Sequence, residues 1–364
     1  MMNWFKKIND WVENLTMRVS IQDQVLFARH LAVMARAGLP LLESLKMIQK
    51  ETRSRAMLKI LNQLIVDVSN GQFLSASLDK FKRIFGNLFV NIVRVGESTG
   101  ILSENLNYLA DELKKKQELR KKVVGALIYP AVIFIATFGI TGLLVVFIFP
   151  KILPIFKSLN VELPATTKFL IFLSNLFTNY GPIMFGVLVI LFIALRLILR
   201  IRKIRYYYNY ALLYMPVFGK IFRGVNLANL VRTLGLTLKS GIKVVEAITI
   251  TADSLSNLVY QDALKELAEE VKRGEAIAPY LGRFPRLFPL VMSQMIAVGE
   301  SSGNLSETLL YLSEFYESEV NDLTKNLSTI LEPMLMVMMG VIVGFIAISI
   351  ITPIYEVTSS IGRR

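Results

Sequence analysis

The sequence predicts an all-α membrane protein with two duplicated cytoplasmic helical-bundle domains and three transmembrane helices. Three apolar stretches of the 364-residue chain are long enough to cross a bilayer core of about 30 Å, which takes roughly 20 helical residues. Most of the remaining chain repeats itself at a fixed offset, which places Arg232 on Arg29. Apolar residues of the repeated part recur at helical spacing, and no sustained strand-like alternation is present.

The apolar stretches predict transmembrane helices at residues 124–150, 181–199 and 331–353. Their apolar cores carry no charge except Arg196, which lies close enough to the end of the second stretch to reach the interface. Hydrophobic residues make up 53% of the chain and are concentrated in these runs. This distribution argues against an ordinary soluble enzyme.

The segment between the first two spans, residues 151–180, is predicted to be a short external loop. Its apolar part, Phe169–Tyr180, is shorter than a span and is followed by Gly181-Pro182. Because this dipeptide is a strong signal for interruption, we expect an interfacial segment that leads into the second span.

Residues 1–20 form a separate N-terminal segment that does not read as a signal peptide. It contains Lys6 and Lys7 but lacks an apolar core and a small-residue cleavage site. A short amphipathic helix that touches the membrane through Trp4 and Trp11 is one interpretation. A packed or disordered terminus is the interpretation we prefer.

Basic residues predict the orientation, because the cytoplasmic flanks of membrane helices are rich in lysine and arginine. Clusters lie before the first span and after the second: Lys114, Lys115, Lys116, Arg120, Lys121 and Lys122, then Arg200, Arg202, Lys203 and Arg205. We therefore expect a cytoplasmic N-terminus, cytoplasmic domains at residues 21–123 and 200–330, and an external tail at 354–364. Arg363 and Arg364 in the tail run against this orientation.

The repeat indicates a duplicated domain. In the first copy, matches without a gap extend from Arg29 to Pro150, and GESTGILSENLNYL (96–109) meets GESSGNLSETLLYL (299–312). The period is far longer than the roughly 20–50 residues of a solenoid repeat. The second span has no counterpart in the repeat, and it returns the chain so that both domains face the same side.

Each copy is predicted to be a helical domain followed by a membrane helix that ends at a proline, Pro150 or Pro353. Helical spacing is clearest in two sets of apolar positions, Leu31, Met34, Ala35 and Gly38, and Leu61, Leu64, Ile65 and Val68. Turn signals at Gly38-Leu39-Pro40, Asn70-Gly71 and Gly86-Asn87 divide the domain into short antiparallel helices.

The repeated motif GE-S-(T/S)-G-x-L-S-E predicts a corner between two helices. In the first copy, Gly96 suits the close of one helix, Gly100 the turn, and Glu104 the first turn of the next, where the helix dipole favours a carboxylate. In the second copy, Gly299, Gly303 and Glu307 occupy the corresponding three positions. The alternative is a partner, self or metal contact by Glu97, Glu104, Glu300 and Glu307. Such a cluster is only weakly specific for metal, and we assign no metal site.

Pro130 and Pro333 occupy the same place in the two copies, in the first turns of a membrane helix that continues a cytoplasmic helix. Each removes a backbone donor and predicts a kink. One interpretation is a tolerated membrane proline whose freed carbonyl is satisfied locally. The other is a paired hinge that links cytoplasmic motion to the membrane helices.

The composition excludes many catalytic sites. The chain has no cysteine and a single histidine, His30, which excludes disulfides, thiolate metal sites and a histidine-rich centre. A GxxxxGK[ST] phosphate loop, a GxSxG elbow, an HExxH helix and a kinase signature are also lacking. We expect no enzymatic activity and no cofactor. The basic cluster at 114–122 adjoins a span, which favours contact with membrane lipids over nucleic acid.

These features together resemble the type II secretion F-domain family, the inner-membrane platform proteins of type II secretion systems and type IV pili. Two GE-x-(S/T)-G-x-L motifs each precede a proline-containing membrane helix, and VLFARHLAVMARAGLPLLESL (25–45) is similar to the family's opening helix pair. LPATTKFLIFLSN (163–175) resembles its outer loop, and residues 331–357 resemble its last span. The resemblance covers residues 20–357.

The resemblance implies a multi-pass inner-membrane protein that couples a cytoplasmic hexameric ATPase to the polymerisation of pilin or pseudopilin subunits. Other inner-membrane assembly proteins are further partners, and we expect a homo-oligomer. The corners around Glu97 and Glu300 are the candidate contact sites. The main alternative function is an oligomeric membrane transporter or channel, which the uncharged spans and the small number of helices disfavour.

Overall fold

The computed structural model describes residues 19–158, 164–216 and 218–361, and within these ranges the chain forms helices and turns without a β-strand. The all-α class predicted from the sequence is confirmed. Most of the predicted N-terminal segment, including Trp4 and Trp11, lies outside the described residues, as do the arginines that end the tail.

The chain divides into two compact units. The first contains the described residues up to Lys121 together with Asn209–Val320, and so it holds most of both predicted cytoplasmic domains. The second contains Lys122–Tyr208 and the described residues from Asn321 onwards.

The first copy of the repeat contributes five helices to the first unit. They are α1 (Ile21–Arg36), α2 (Leu41–Glu51), α3 (Arg55–Ser69), α4 (Leu74–Asp79) and α5 (Lys82–Thr99). Ser20 and Asp23 form a capping box at the start of α1, with the Ser20 hydroxyl accepting from Asp23 N at 3.0 Å. The predicted turns at Gly38 and Gly71 are confirmed, and both glycines have a positive φ, at 76° and 79°. Gly86, at φ 84°, interrupts α5 as predicted.

The buried face of α1 includes only Leu31 of the apolar positions that indicated the helix. Its buried apolar residues are Phe27, Ala28, Leu31 and Ala32. Met34 and Ala35 are only half-buried, and Gly38 is exposed. This face contacts α5 through an aromatic cluster, in which the Phe27 ring lies 5.9 and 6.0 Å from those of Phe85 and Phe89. Aromatic pairs at this separation contribute beyond their buried area, so they draw the earlier part of α1 into the core.

The second copy follows the same plan. Its helices are α9 (Arg202–Tyr214), α10 (Phe218–Lys239), α11 (Val244–Ser254), α12 (Leu258–Lys272), α13 (Ile277–Gly282) and α14 (Leu290–Ser302). Helices α10–α14 correspond to α1–α5, and the residues that would match α9 lie outside the described ranges. Residues 285–288 are not helical, whereas the matching residues 82–85 are; the second copy has Pro285 and Pro289 where the first has Lys82 and Gly86.

The two copies pack against each other within the first unit. Helix α5 of the first copy lies on α11 and α10 of the second. At this contact Asn87 Nδ2 donates to Asp253 Oδ2 at 3.1 Å. The two predicted domains therefore form one compact body.

Three described helices are long and apolar enough to cross a membrane, over Leu102–Ile152, Ala165–Ile198 and Leu305–Tyr355. In detail they are α6 (Leu102–Leu143), a π-helical segment (Leu144–Ile148), α7 (Phe149–Ser158), α8 (Ala165–Ile198) and α15 (Leu305–Ile361). The prediction of three candidate spans is confirmed.

The membrane helices continue past the prolines at which they were predicted to end. Pro150 lies in α7, directly after the π-helical segment, and Pro353 lies inside α15. A proline has no N–H, so each one leaves a carbonyl of the preceding turn without its helical donor.

Hydroxyl groups of α8 replace both missing donors. Thr167 Oγ1 donates to Ser349 O, four residues before Pro353, at 2.8 Å. Ser174 Oγ donates to Val145 O, five residues before Pro150, also at 2.8 Å. Five residues is the spacing of π-helical hydrogen bonds. Because the freed carbonyls are satisfied by a neighbouring helix, neither helix has to end at its proline.

Helix α8 is a single helix of 34 residues, and the interruption predicted at Gly181-Pro182 is wrong. The segment predicted to be interfacial, Phe169–Tyr180, belongs to this helix. Its Leu170 is buried with Val145 and Phe149 in the core of the second unit. A proline bends a helix rather than ending it where lipid offers the backbone no other hydrogen-bond partner.

Candidate functional site

The repeated motif forms a corner between consecutive helices in both copies. Gly100, at φ 79°, separates α5 from α6, and Gly303, at φ 74°, separates α14 from α15. Glu104 and Glu307 lie in the first turn of the following helix. Their carboxylates are therefore close to the positive end of the helix dipole. The predicted corner is confirmed.

Glu97 and Glu300 bind backbone amides of their own copy. The two Glu97 oxygens accept from Leu74 N at 2.6 Å and from Ser75 N at 2.8 Å, at the start of α4. Glu300 accepts in the same way from the first two amides of α13, at 2.7 and 2.9 Å. Hydrogen bonds to an ionised acceptor are among the stronger ones. These two glutamates therefore hold a short helix against the corner, and a partner contact through them stays a prediction.

Gly96 and Gly299 allow the two helices of each corner to approach closely. A Cβ on Gly96 would lie 2.8 Å from Leu102 Cα, which is backbone and cannot rotate away. A Cβ on Gly299 would lie 2.8 Å from Thr308 Oγ1 and 3.2 Å from Leu305 Cα. The motif therefore needs glycine here for space and at Gly100 and Gly303 for conformation.

Other polar groups singled out from the sequence lie at the surface. His30 Nδ1 is 3.4 Å from Glu51 Oε2, and both side chains are exposed. Among the described residues, no three histidine or acidic side chains are grouped so that they could hold a metal ion.

A buried ion cluster joins the two copies. Arg232 of α10 is buried, its Nε lies 3.4 Å from Glu112 Oε2 of α6, and its Nη2 pairs with Glu317 Oε1 of α15. Glu112 belongs to the first copy, while the other two residues belong to the second. The counterpart of Arg232 in the first copy, Arg29, is exposed and pairs with Asp111 at 2.6 Å.

Of the three residues of this cluster, the sequence singled out only Arg232, as a match in the repeat. The acidic partners of Arg232 have no acidic counterparts in the other copy. Glu112 corresponds to Phe315 in the second copy, and Glu317 corresponds to Lys114 in the first. Because the cluster spans both copies, comparing one copy with the other could not reveal it.

Burial raises the pKa of Glu112 to about 7, and the neighbouring Arg232 opposes this shift. Lys115 and Lys116 also favour the ionised form, whereas Glu317 disfavours it. A cleft of about 350 Å³ adjoins the cluster and is lined by residues of both copies. Glu112 therefore favours its neutral form more than an exposed glutamate does, at the contact between the copies.

Pro130 lies inside α6 and Pro333 inside α15, in helices that begin at the two corners. In the second unit an apolar cavity of about 310 Å³ lies between α6 and α15, lined by Ile133, Thr137 and Met339 among others. The helical continuity predicted for both prolines is confirmed, and their role as hinges stays a prediction.

Comparison with protein families matches residues 27–150 and 230–353 to the family described as type II secretion system (T2SS), protein F. The second range begins 203 residues after the first (230 − 27), which is the offset found within the sequence (232 − 29). The duplication is therefore confirmed.

Similar proteins come from pilus and secretion systems alike. The chain is 35% identical over 342 residues to the type IV pilus assembly protein PilC of Thermus thermophilus, covering 94% of this chain and 84% of the relative. It is 31% identical to PilC of Pseudomonas aeruginosa, covering 95% and 92%. It is 32% identical to the type II secretion system protein F of Aeromonas hydrophila, covering 94% and 88%.

Proposed function

Because the chain belongs to the type II secretion system protein F family, we propose that it is the platform protein of a type IV pilus or type II secretion machine in the inner membrane. The observation that carries this proposal is the alignment of relatives of both kinds over more than nine-tenths of the chain. The proposal assigns the chain a mechanical role and no catalytic chemistry of its own.

In this role the protein couples a cytoplasmic hexameric ATPase to pilin or pseudopilin subunits in the membrane. The chain has no phosphate-binding loop, so a partner has to hydrolyse the ATP. Helices α6 and α15 support the coupling, because each begins at a corner of the first unit and contains an apolar span. Packing of α5 on α11 and the buried Arg232 cluster support motion of the two copies as one body.

The basic residues before the first span and after the second support a cytoplasmic N-terminus and a cytoplasmic first unit. In this orientation the two corners are accessible to the ATPase. Glu104 and Glu307 are the stronger contact candidates, since both are exposed in the first turn of a long helix. Glu97 and Glu300 are occupied by the capping bonds described above.

Gentle detergent purification of the tagged protein from its own cells, followed by mass spectrometry, tests the function. We expect enrichment of a hexameric secretion ATPase and of pilin-like subunits over a control purification of an unrelated multi-pass protein with the same tag. Absence of both after mild cross-linking would overturn the proposal. An ion flux through reconstituted vesicles that is lost in a span mutant would point to the channel instead.

The corner contact has its own test. The double variant Glu104→Lys and Glu307→Lys is expected to reduce ATPase enrichment severalfold without reducing protein level, because it reverses two exposed charges. Glu118→Lys, also exposed on α6, is the matched control and should retain the ATPase. Equal enrichment in both variants would reject the corners as the contact.

A further inference from the structure

One of the contacts between the two copies pairs a face of α5 with a face of α11, and the counterparts of these two faces are exposed. Within the chain, α5 of the first copy packs on α11 of the second, with Asn87 donating to Asp253. At the repeat offset, α5 corresponds to α14 and α11 corresponds to α2. The first unit therefore carries one unused face of each type.

The unused face on α14 is apolar. Leu88 of α5 is 9% exposed, whereas its counterpart Val291 is 50% exposed. Leu290 stands where the first copy has Asn87, and it is 62% exposed; Val298 is 64% exposed. The face of α14 on which they lie carries no charge and consists of Leu290, Val291, Gln294, Ala297 and Val298. Single exposed apolar residues need no explanation, but an uncharged face with four exposed apolar residues is typical of an interaction surface.

The counterpart position on α2 shows the same kind of difference in exposure. Ile250 of α11 is 4% exposed, while its counterpart Met47 on α2 is 46% exposed. Lys50 on α2 occupies the position of Asp253. Lys50 and Leu290 thus correspond to the two residues whose side chains are hydrogen-bonded within the chain.

We propose that α14 of one chain packs on α2 of a second copy of this chain, repeating between chains the contact that α5 and α11 make within one. The two surfaces differ, so the contact is heterologous and joins chains head to tail, giving a ring if the rotation closes. Between the chains, the aliphatic part of the Lys50 side chain would pack along Leu290. This apolar contact would stand where Asn87 and Asp253 form a hydrogen bond within the chain. The inference rests on the homo-oligomer in the proposed function and specifies its faces.

Cysteine cross-linking tests the contact in the whole 364-residue chain, whose sequence contains no cysteine. Two differently tagged chains are co-expressed, one with Leu290→Cys and the other with Lys50→Cys, and their membranes are treated with a short bismaleimide. We expect a covalent heterodimer severalfold more abundant than from a control pair of Leu290→Cys with Val66→Cys, since Val66 is exposed on α3. A single chain with Asn87→Cys and Asp253→Cys should cross-link internally.

Each other result would overturn the proposal. A Leu290→Cys pair that cross-links as well as the mixed pair would show a symmetric contact. Cross-linking of Leu290→Cys to a different protein would assign the face to that partner. If Asn87→Cys and Asp253→Cys failed to cross-link, α5 and α11 would not be in contact within the chain, and there would be no such contact to repeat between chains.

A charge variant gives an independent readout. Val298→Glu is expected to reduce the molecular mass in mild detergent from oligomer to monomer, because it places a carboxylate on the apolar face. Val66→Glu is the matched control: it is also exposed, and the second copy already has Glu269 at that position. An unchanged mass for Val298→Glu would reject the contact. If the ATPase still co-purified with that variant, the proposed function would stand without it.

Discussion

Glu97 and Glu104 belong to one motif, yet the structure gives them different tasks. The Glu97 carboxylate accepts hydrogen bonds from two backbone amides of α4, whereas Glu104 is exposed at the start of α6. From the sequence both were equal candidates for partner contact, because the motif shows residue type and spacing but not which donors lie opposite. The assignment of capping to one and of surface exposure to the other required the tertiary structure.

At Glu112 we predict a pH-dependent stability. Its pKa rises from an ordinary value of 4.5 to about 7 on folding, so between these values the folded protein holds a proton that the unfolded chain releases. Stability should therefore fall as pH rises through this window, by about 1.4 kcal/mol per pH unit for one proton. Thermal unfolding in one detergent at pH 5, 6 and 7 measures this slope.

Glu112→Gln should remove the slope, because the amide does not titrate. Glu118→Gln, on the exposed part of the same helix, should keep it. A wild-type slope in the Glu112→Gln protein would show that another group is responsible.

At the scale of helices, α8 is central to the second unit, because its hydroxyl groups satisfy carbonyls on two other helices. The Thr167 hydroxyl donates to the Ser349 carbonyl, and the Ser174 hydroxyl donates to the Val145 carbonyl. Each carbonyl lacks its usual helical donor because a proline stands at the donor position. The sequence indicated the prolines but not their compensation. Local signals therefore predicted ends for helices that tertiary contacts allow to continue.

Thr167→Val is expected to destabilise the protein by about 1–2 kcal/mol, since it keeps the side-chain shape and leaves the Ser349 carbonyl unpaired. The measurement is the thermal midpoint in a mild detergent. Thr166→Val, at a neighbouring half-buried position, should leave the midpoint nearly unchanged. Equal effects of the two variants would mean that the hydroxyl bond to Ser349 contributes nothing.

Pro130 and Pro333 allow a test of the hinge. If bending at these prolines transmits motion, the double variant Pro130→Ala and Pro333→Ala should fold to normal levels and lose pilus or secretion output, because alanine straightens and stiffens both helices. Output is measured in cells against protein level in membranes. Normal assembly by this variant would leave the prolines as tolerated features of the spans.

At the scale of the whole molecule, the duplication was readable because its signals are local: motifs, apolar lengths and matched prolines. What the sequence could not predict is how the copies meet. Arg29 and Arg232 match in the repeat, but only the second is buried at the contact, and its partners Glu112 and Glu317 have no acidic counterparts in the other copy.

The two arginines therefore form a matched pair for mutation. Arg232→Ala should cost roughly 3–5 kcal/mol, because it leaves two carboxylates without their buried cation. Arg29→Ala removes an exposed pair and should cost less than about 1 kcal/mol. Thermal unfolding of both variants under one condition measures the two losses of stability. Similar losses would show that the buried cluster does not hold the copies together.

The same cluster also requires the two copies to follow each other in their present order along the chain. A chain assembled with its halves exchanged would still contain both corners, all three spans and every apolar face. It would, however, bring Arg29 to the position of Arg232, facing Phe315 in place of Glu112 and Lys114 in place of Glu317. The two copies are similar in sequence, but at this contact they are not interchangeable.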